Sequence, residues 1–98
     1  MVFNFKSAAR RRHRRPASSL ADLVVGERAV LQSFTLAPAV AEHLMNLGFL
    51  PGLEVLVARS GPGGDPRIYR VDGAEFALRR EVSRRIAIRP VQLEQAAD

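Results

Sequence analysis

The sequence contains no cysteine, and that one absence removes several kinds of chemistry. No disulfide framework, thiolate metal site or cysteine nucleophile can be built, and the lack of disulfides fits a reducing compartment. Long apolar runs are missing too: none approaches the roughly 20 residues that a bilayer-spanning helix needs. Charge follows directly on the first apolar residues, the reverse of a secretory signal, so a cytoplasmic location is expected. Acids are missing from the first fifteen residues, which hold Lys6, Arg10, Arg11, Arg12, Arg14 and Arg15. At 98 residues the chain has the size of one small domain, with room for a modest core but not for a cleft between lobes.

The overall charge of +5 therefore belongs to an arm. Of fifteen cationic residues six lie in that acid-free segment, which leaves nine against ten acids and a charge of about −1 over residues 16–98. Residues 1–19 are expected to form a basic, disordered arm, because such composition buries too little surface to offset its ordering entropy. Residues 20–90 hold the patterned part, and 91–98 read as a polar tail.

Within 20–90 the periodicities are clear. Ser19 can cap a short helical turn over Leu20, Ala21, Asp22 and Leu23 that Gly26 closes. Residues 27–34 alternate as a strand does. Thr35 offers a helix cap, Pro38 is tolerated in a first turn, and Val40, Leu44 and Leu47 repeat at i, i+4, i+7, with Ala37, Ala41 and Met45 widening the stripe. This predicts a helix over 38–47 whose stripe is core, with Met45, Phe49 and Phe76 in or beside the core. Gly48 then supplies a left-handed stop, and Pro51-Gly52 a turn into an alternating strand at 53–59 that points Leu53, Val55 and Val57 one way. After the loop at 61–66 come strands at 67–71 and 74–78, joined by Asp72-Gly73, a strong hairpin signal. A single 3₁₀ turn is expected over 81–85, then a last strand with Ile86 and Ile88. The fold class that follows is mainly β, a small five-stranded barrel with one inserted short α-helix and a 3₁₀ turn before the last strand, since closure removes exposed edges.

Catalytic and metal-binding patterns are lacking. His43 adjoins Glu42, but neighbouring helical residues do not face each other. Neither histidine has a partner at i+4, and His13 stands among arginines that repel a cation. Asp65, Asp72 and Glu75 are isolated acids. Ser33, Ser60 and Ser83 belong to no nucleophile motif. The glycines at 61–64 are followed by neither lysine nor hydroxyl residue, so they form no phosphate loop. No catalytic residue, metal site or cofactor is therefore expected.

Three features admit both a contact role and a plain structural one. Pro62, Gly64, Asp65 and Pro66 read either as a protruding partner loop or as turn chemistry. Arg79 and Arg80, with Arg84 and Arg85, read either as a site for an acidic patch or as long side chains covering apolar surface. The arm's arginines read as a solubilising tail, as an attachment to anionic lipid, or as a binder of nucleic-acid phosphates. No aromatic stands between the arginines to stack on bases, so single-strand readout is not supported.

The ordered set Leu20-x-x-Leu23-x-x-Gly26-Glu27, Leu44-x-x-Leu47-Gly48-x-x-Pro51-Gly52-x-x-Val55-x-Val57, Pro62-x-Gly64-Asp65-Pro66 and Ala77-Leu78-Arg79-Arg80 with Ile86-x-Ile88 resembles the FeoA family of bacterial ferrous-iron transport. The resemblance implies an SH3-like barrel with an inserted helix. It also implies a non-catalytic cytoplasmic accessory protein that docks on the FeoB membrane transporter and its GTP-binding domain. The same barrel is a module of iron-dependent repressors, and no helix-turn-helix pattern precedes it here. Ala41, Glu42 and His43 stand where many relatives carry a basic residue, Ser83 where alanine is usual, and Gly63 where a larger apolar residue is common. The alternative function is a nucleic-acid-associated or regulatory module that binds through the arginine arm.

Overall fold

Alternation along each strand resolves into one shared buried face. In the computed structural model, which describes residues 17–91, β1 (Arg28–Phe34), β2 (Glu54–Ser60), β3 (Arg67–Val71), β4 (Ala74–Leu78) and β5 (Ile86–Arg89) form one antiparallel sheet in the order β4-β3-β2-β1-β5. Ala29 and Leu31, Val55 and Val57, Tyr69 and Val71, Phe76 and Leu78, and Ile86 and Ile88 all enter one core. Register shifts between Leu31 and Ser33 and between Val57 and Arg59 bend β1 and β2, as extra residues in a ladder do. Asp72 and Gly73 both take positive φ, the two-residue turn whose twist matches the strands it joins.

The mainly β, five-stranded architecture with short helices is the one expected. Among the described residues no ladder pairs β4 with β5, so closure of the barrel is not detected there. The seven residues between these strands carry α2 (Arg80–Ser83), and a helical turn cannot lend its backbone to a ladder. The outer edge of β5 is partly covered by a bridge between Ser19 and Ala87 and by the Ile88 N–H donating to the Ser18 carbonyl.

α2 also corrects the 3₁₀ turn expected at 81–85. Ser83 N–H donates to the Arg79 carbonyl and Arg84 N–H to that of Arg80, both at 3.0 Å, which is α-helical i→i−4 bonding. A tertiary contact makes so short a piece possible: the Asp65 carboxylate accepts from the Arg80 N–H at 3.0 Å. The turn expected over 20–23 is a 3₁₀ turn at Leu20–Asp22, closed by the Leu23 N–H donating to the Leu20 carbonyl rather than at Gly26. Its acid acts locally, accepting from the N–H groups of Ser18 at 2.9 Å and Ser19 at 3.1 Å.

Helix α1 (Pro38–Asn46) ends in a tightly specified way. Gly48 N–H donates to the Met45 carbonyl and Phe49 N–H to that of Leu44, both 3.0 Å, with Gly48 at φ 107°. These are the two bonds of a Schellman stop, and its accompanying apolar contact joins the buried Leu44 and Phe49. The Pro51-Gly52 turn is then fastened to β1, Gly52 N–H donating to the Leu31 carbonyl at 2.7 Å and Leu31 N–H to that of Leu53 at 2.9 Å.

The start of α1 departs from expectation. The capping position is Ala37 without a side-chain cap, and Thr35 instead donates its N–H to the Arg85 carbonyl at 2.8 Å. The stripe departs further, because Leu44 is its only buried member: Val40 is 42% exposed, Met45 36% and Leu47 54%. An apolar stripe identifies the face of a helix that water disfavours; it does not supply a sheet to cover it. The space is filled instead by rings, with Phe49 at 5.7 Å from Phe34 and 5.0 Å, edge-on, from Phe76.

Candidate docking surface

The candidate contact residues gather around α2. On one side lies the loop 61–66, closed on itself by Gly61 N–H donating to the Pro66 carbonyl at 2.7 Å and Gly64 N–H to that of Gly61 at 2.9 Å. Pro62–Gly64 form a 3₁₀ turn and the Asp65–Pro66 peptide is cis. Asp65 bonds the Arg80 backbone and lies 4.0 Å from the exposed Arg79 guanidinium. Gly64, Asp65 and Arg80 thus line one small depression with Ala21, Arg67 and Ser83. Pro62 and Pro66 flank it on the loop, and Arg79 precedes α2. Asp65 is accordingly a structural acid, whatever else the loop does. Arg67 is internal as well, donating to the Leu23 carbonyl.

On the other side of α2 lies a groove of about 430 Å³ that sequence patterning did not single out. Leu36, Ala37 and Val40 face Val82, Glu81 and Arg85 across it. The stripe position of Val40 is visible in the sequence; its failure to meet the sheet is a tertiary fact.

The exposed charges divide into two groups. Glu75 receives Arg59 at 3.0 Å and Arg70 at 2.8 Å, and Arg28 meets Glu54 at 3.1 Å. Hydrogen bonds from Arg59 and then Arg70 hold the Glu75 carboxyl below its usual range. By contrast, Arg80, Arg84, Arg85 and Arg89 make no ion pair among the described residues. Glu42 and His43 are exposed on α1, Asp72 sits in the hairpin turn, and no group of three His, Cys, Asp or Glu among the described residues is placed to hold a metal. Ser83 is buried, its hydroxyl donating to the Arg80 carbonyl at 3.3 Å. Arg10, Arg11, Arg12, Arg14, Arg15 and His13 lie outside the described residues. No helix among those described is long and apolar enough to cross a membrane.

A five-stranded antiparallel sheet of this order with short helices at its margins is a small SH3-like β domain. The FeoA domain matches residues 18–90, and the chain belongs to the FeoA family, non-catalytic accessory proteins associated with ferrous iron transport. Solved structures agree. The FeoA protein from Chlorobium tepidum is 32% identical with a TM-score of 0.72, over 76% of this chain and 70% of that one. FeoA from Stenotrophomonas maltophilia, described as complexed with zinc and suggested as a bacterial ferrous iron transport activating factor, is 36% identical with a TM-score of 0.63, over 74% and 89%. T. acidophilum IdeR, at 15% identity and a TM-score of 0.62 over 79% of this chain and 36% of that one, shares the fold alone. No curated protein matches in sequence.

Proposed function

We propose that this chain is a cytoplasmic docking module of ferrous iron uptake whose partner is the cytoplasmic part of a FeoB-type membrane transporter, including its GTP-binding domain. Residues 20–90 form the module, between an arm at 1–19 and a tail at 91–98. Family membership supplies the system. Within the chain, the observation that supports a docking role is the segment around α2, where Arg80, Arg84 and Arg85 make no ion pair among the described residues, while Arg28, Arg59 and Arg70 on the sheet are paired. The reading includes Pro62, Gly64, Asp65, Pro66, Arg79 and Arg80 in the contact face. The suggested activating role of the Stenotrophomonas relative fits an accessory that works by contact. Arginines 10–15 add attraction to the anionic membrane surface that surrounds such a partner.

The test is iron uptake in a deletion strain under low-oxygen, iron-limited growth, with retention of the purified transporter's cytoplasmic part by the immobilised protein. Loss of uptake, restored by the wild-type chain but not by an Arg79→Glu/Arg80→Glu variant, is the expected result. Unchanged uptake in the deletion strain overturns the reading.

A further inference from the structure

Val40, Leu44 and Leu47 fall on one face of α1 and its cap, because seven residues at about 100° each return almost to the starting angle. The middle residue is buried and the outer two are open to water. Val40 forms part of the wall of the groove described above, opposite Val82. Five arginines of the described domain lack an ion pair, Arg67, Arg80, Arg84, Arg85 and Arg89; of these Arg85 lines this groove and Arg84 precedes it in the chain. Glu81 is the acid beside them, whereas Glu42, two positions from Val40, projects from the far side of the helix.

We propose that this groove is a peptide site: it takes an amphipathic segment of a protein partner, an apolar side chain seated between Val40 and Val82 and a carboxylate paired with Arg85. Helix-in-groove recognition works through such spaced apolar anchors, and a guanidinium at the rim reads a carboxylate through paired charge-assisted bonds. A second copy meeting this face across a two-fold axis would set Arg84 and Arg85 near their own counterparts, so the charge favours an acidic partner over self-association. The groove is separate from the loop at 61–66, on the opposite side of α2. The inference deepens the docking reading and rests on it, by naming where and by what chemistry the partner is held.

The probe is a synthetic 12-residue amphipathic peptide with leucines spaced i, i+4 and flanking glutamates, with a lysine-for-glutamate version as control, titrated into isotope-labelled full chain and followed by amide chemical shifts. Saturable shifts at Leu36, Ala37, Val40, Val82 and Arg85 are expected with the acidic peptide, and none with the lysine version. Arg85→Glu weakens binding at least tenfold. That substitution leaves the backbone bond from Thr35 intact, so a preserved spectrum separates lost contact from lost fold; Val40→Asp, at an already exposed position, is the second variant. Absence of saturable shifts, equal binding by Arg85→Glu, shifts centred on the 61–66 loop, or concentration-dependent self-association through the groove each overturn the proposal. The transporter's cytoplasmic part separates the two readings. Equal retention by wild type and both variants removes the groove and leaves docking standing. No retention by wild type, with the acidic peptide still bound, removes the transporter and leaves the groove.

Discussion

The nine residues of α1 bury one side chain, while the five of β3 bury two and half-bury two more. Both segments are comparably apolar, so composition does not separate them. Their neighbours do. β3 lies between β2 and β4 and has a partner on each edge, whereas α1 is held mainly by its last turn, where the Gly48 stop swings Phe49 into the core. Leu47 and Phe49 stand two residues apart with 54% and 0% exposure. Stability in this domain is concentrated in the sheet and the aromatic plug beneath it; the helix holds surface in reserve.

The largest test of that division removes the plug. Phe49→Ala deletes a fully buried ring that touches Phe34 and Phe76, and truncations of buried aromatics cost about 3–5 kcal/mol. In a domain whose total stability is on the order of 5–15 kcal/mol, urea denaturation should show a large drop in midpoint, or no folded baseline. A loss comparable to that of an exposed residue would show that the helix and sheet are held equally.

Two substitutions of middling size probe the sheet side in opposite directions. Tyr69 is wholly buried and its hydroxyl has no hydrogen-bond partner among the described residues; an unsatisfied buried polar group costs roughly 1–3 kcal/mol. Tyr69→Phe is therefore expected to raise the unfolding midpoint by the equivalent of about 1 kcal/mol, and a fall would reveal a partner for that hydroxyl. Asp65→Ala removes the carboxylate that caps Arg80, a loss of about 1 kcal/mol on the scale of helix caps, read by the same denaturation curves and by faster amide exchange at Arg80. On the helix side, Leu47→Ala should stay within about 0.5 kcal/mol, as exposed positions do. A larger loss would mean that the open stripe is covered in solution.

Most of the fold was legible because its signals are local. The Gly48 stop, the Pro51-Gly52 turn, the Asp72-Gly73 hairpin and the alternation of Val55 with Val57 each follow from backbone sterics or period two. The resemblance carried by those same residues identified the family. The features that the sequence does not carry depend on tertiary placement. The α-helical character of Arg80–Ser83 and the duty of Asp65 go together, because a loop carboxylate accepts from an amide fifteen residues on. Thr35 could cap by type but was drawn to Arg85. The period of Val40 and Leu47 shows which residues align, not whether anything lies opposite, so their exposure is not legible from it. The groove is the consequence of that missing neighbour.

The smallest expected effect separates the two exposed surfaces, one internally paired and one not. On the sheet face, Glu75 is ionised beside Arg59 and Arg70, and the folded chain holds its pKa below the ordinary 4.5. The sign follows from linkage: a carboxyl more acidic when folded adds stability that is fully present above its unfolded pKa and is lost as pH falls through the folded value. Glu75→Gln should therefore change little at pH 7, where exposed pairs contribute weakly, and should flatten the decline of stability below about pH 4.5 relative to wild type. High salt should shrink the difference, since the Debye length falls to about 3 Å at 1 M. The Arg84→Gln and Arg85→Gln counterparts, having no carboxylate among the described residues to lose, should leave the shape of the acid profile unchanged. Parallel profiles for Glu75→Gln and wild type would place the sheet-face arginines with those around α2, as charges held by nothing within the chain.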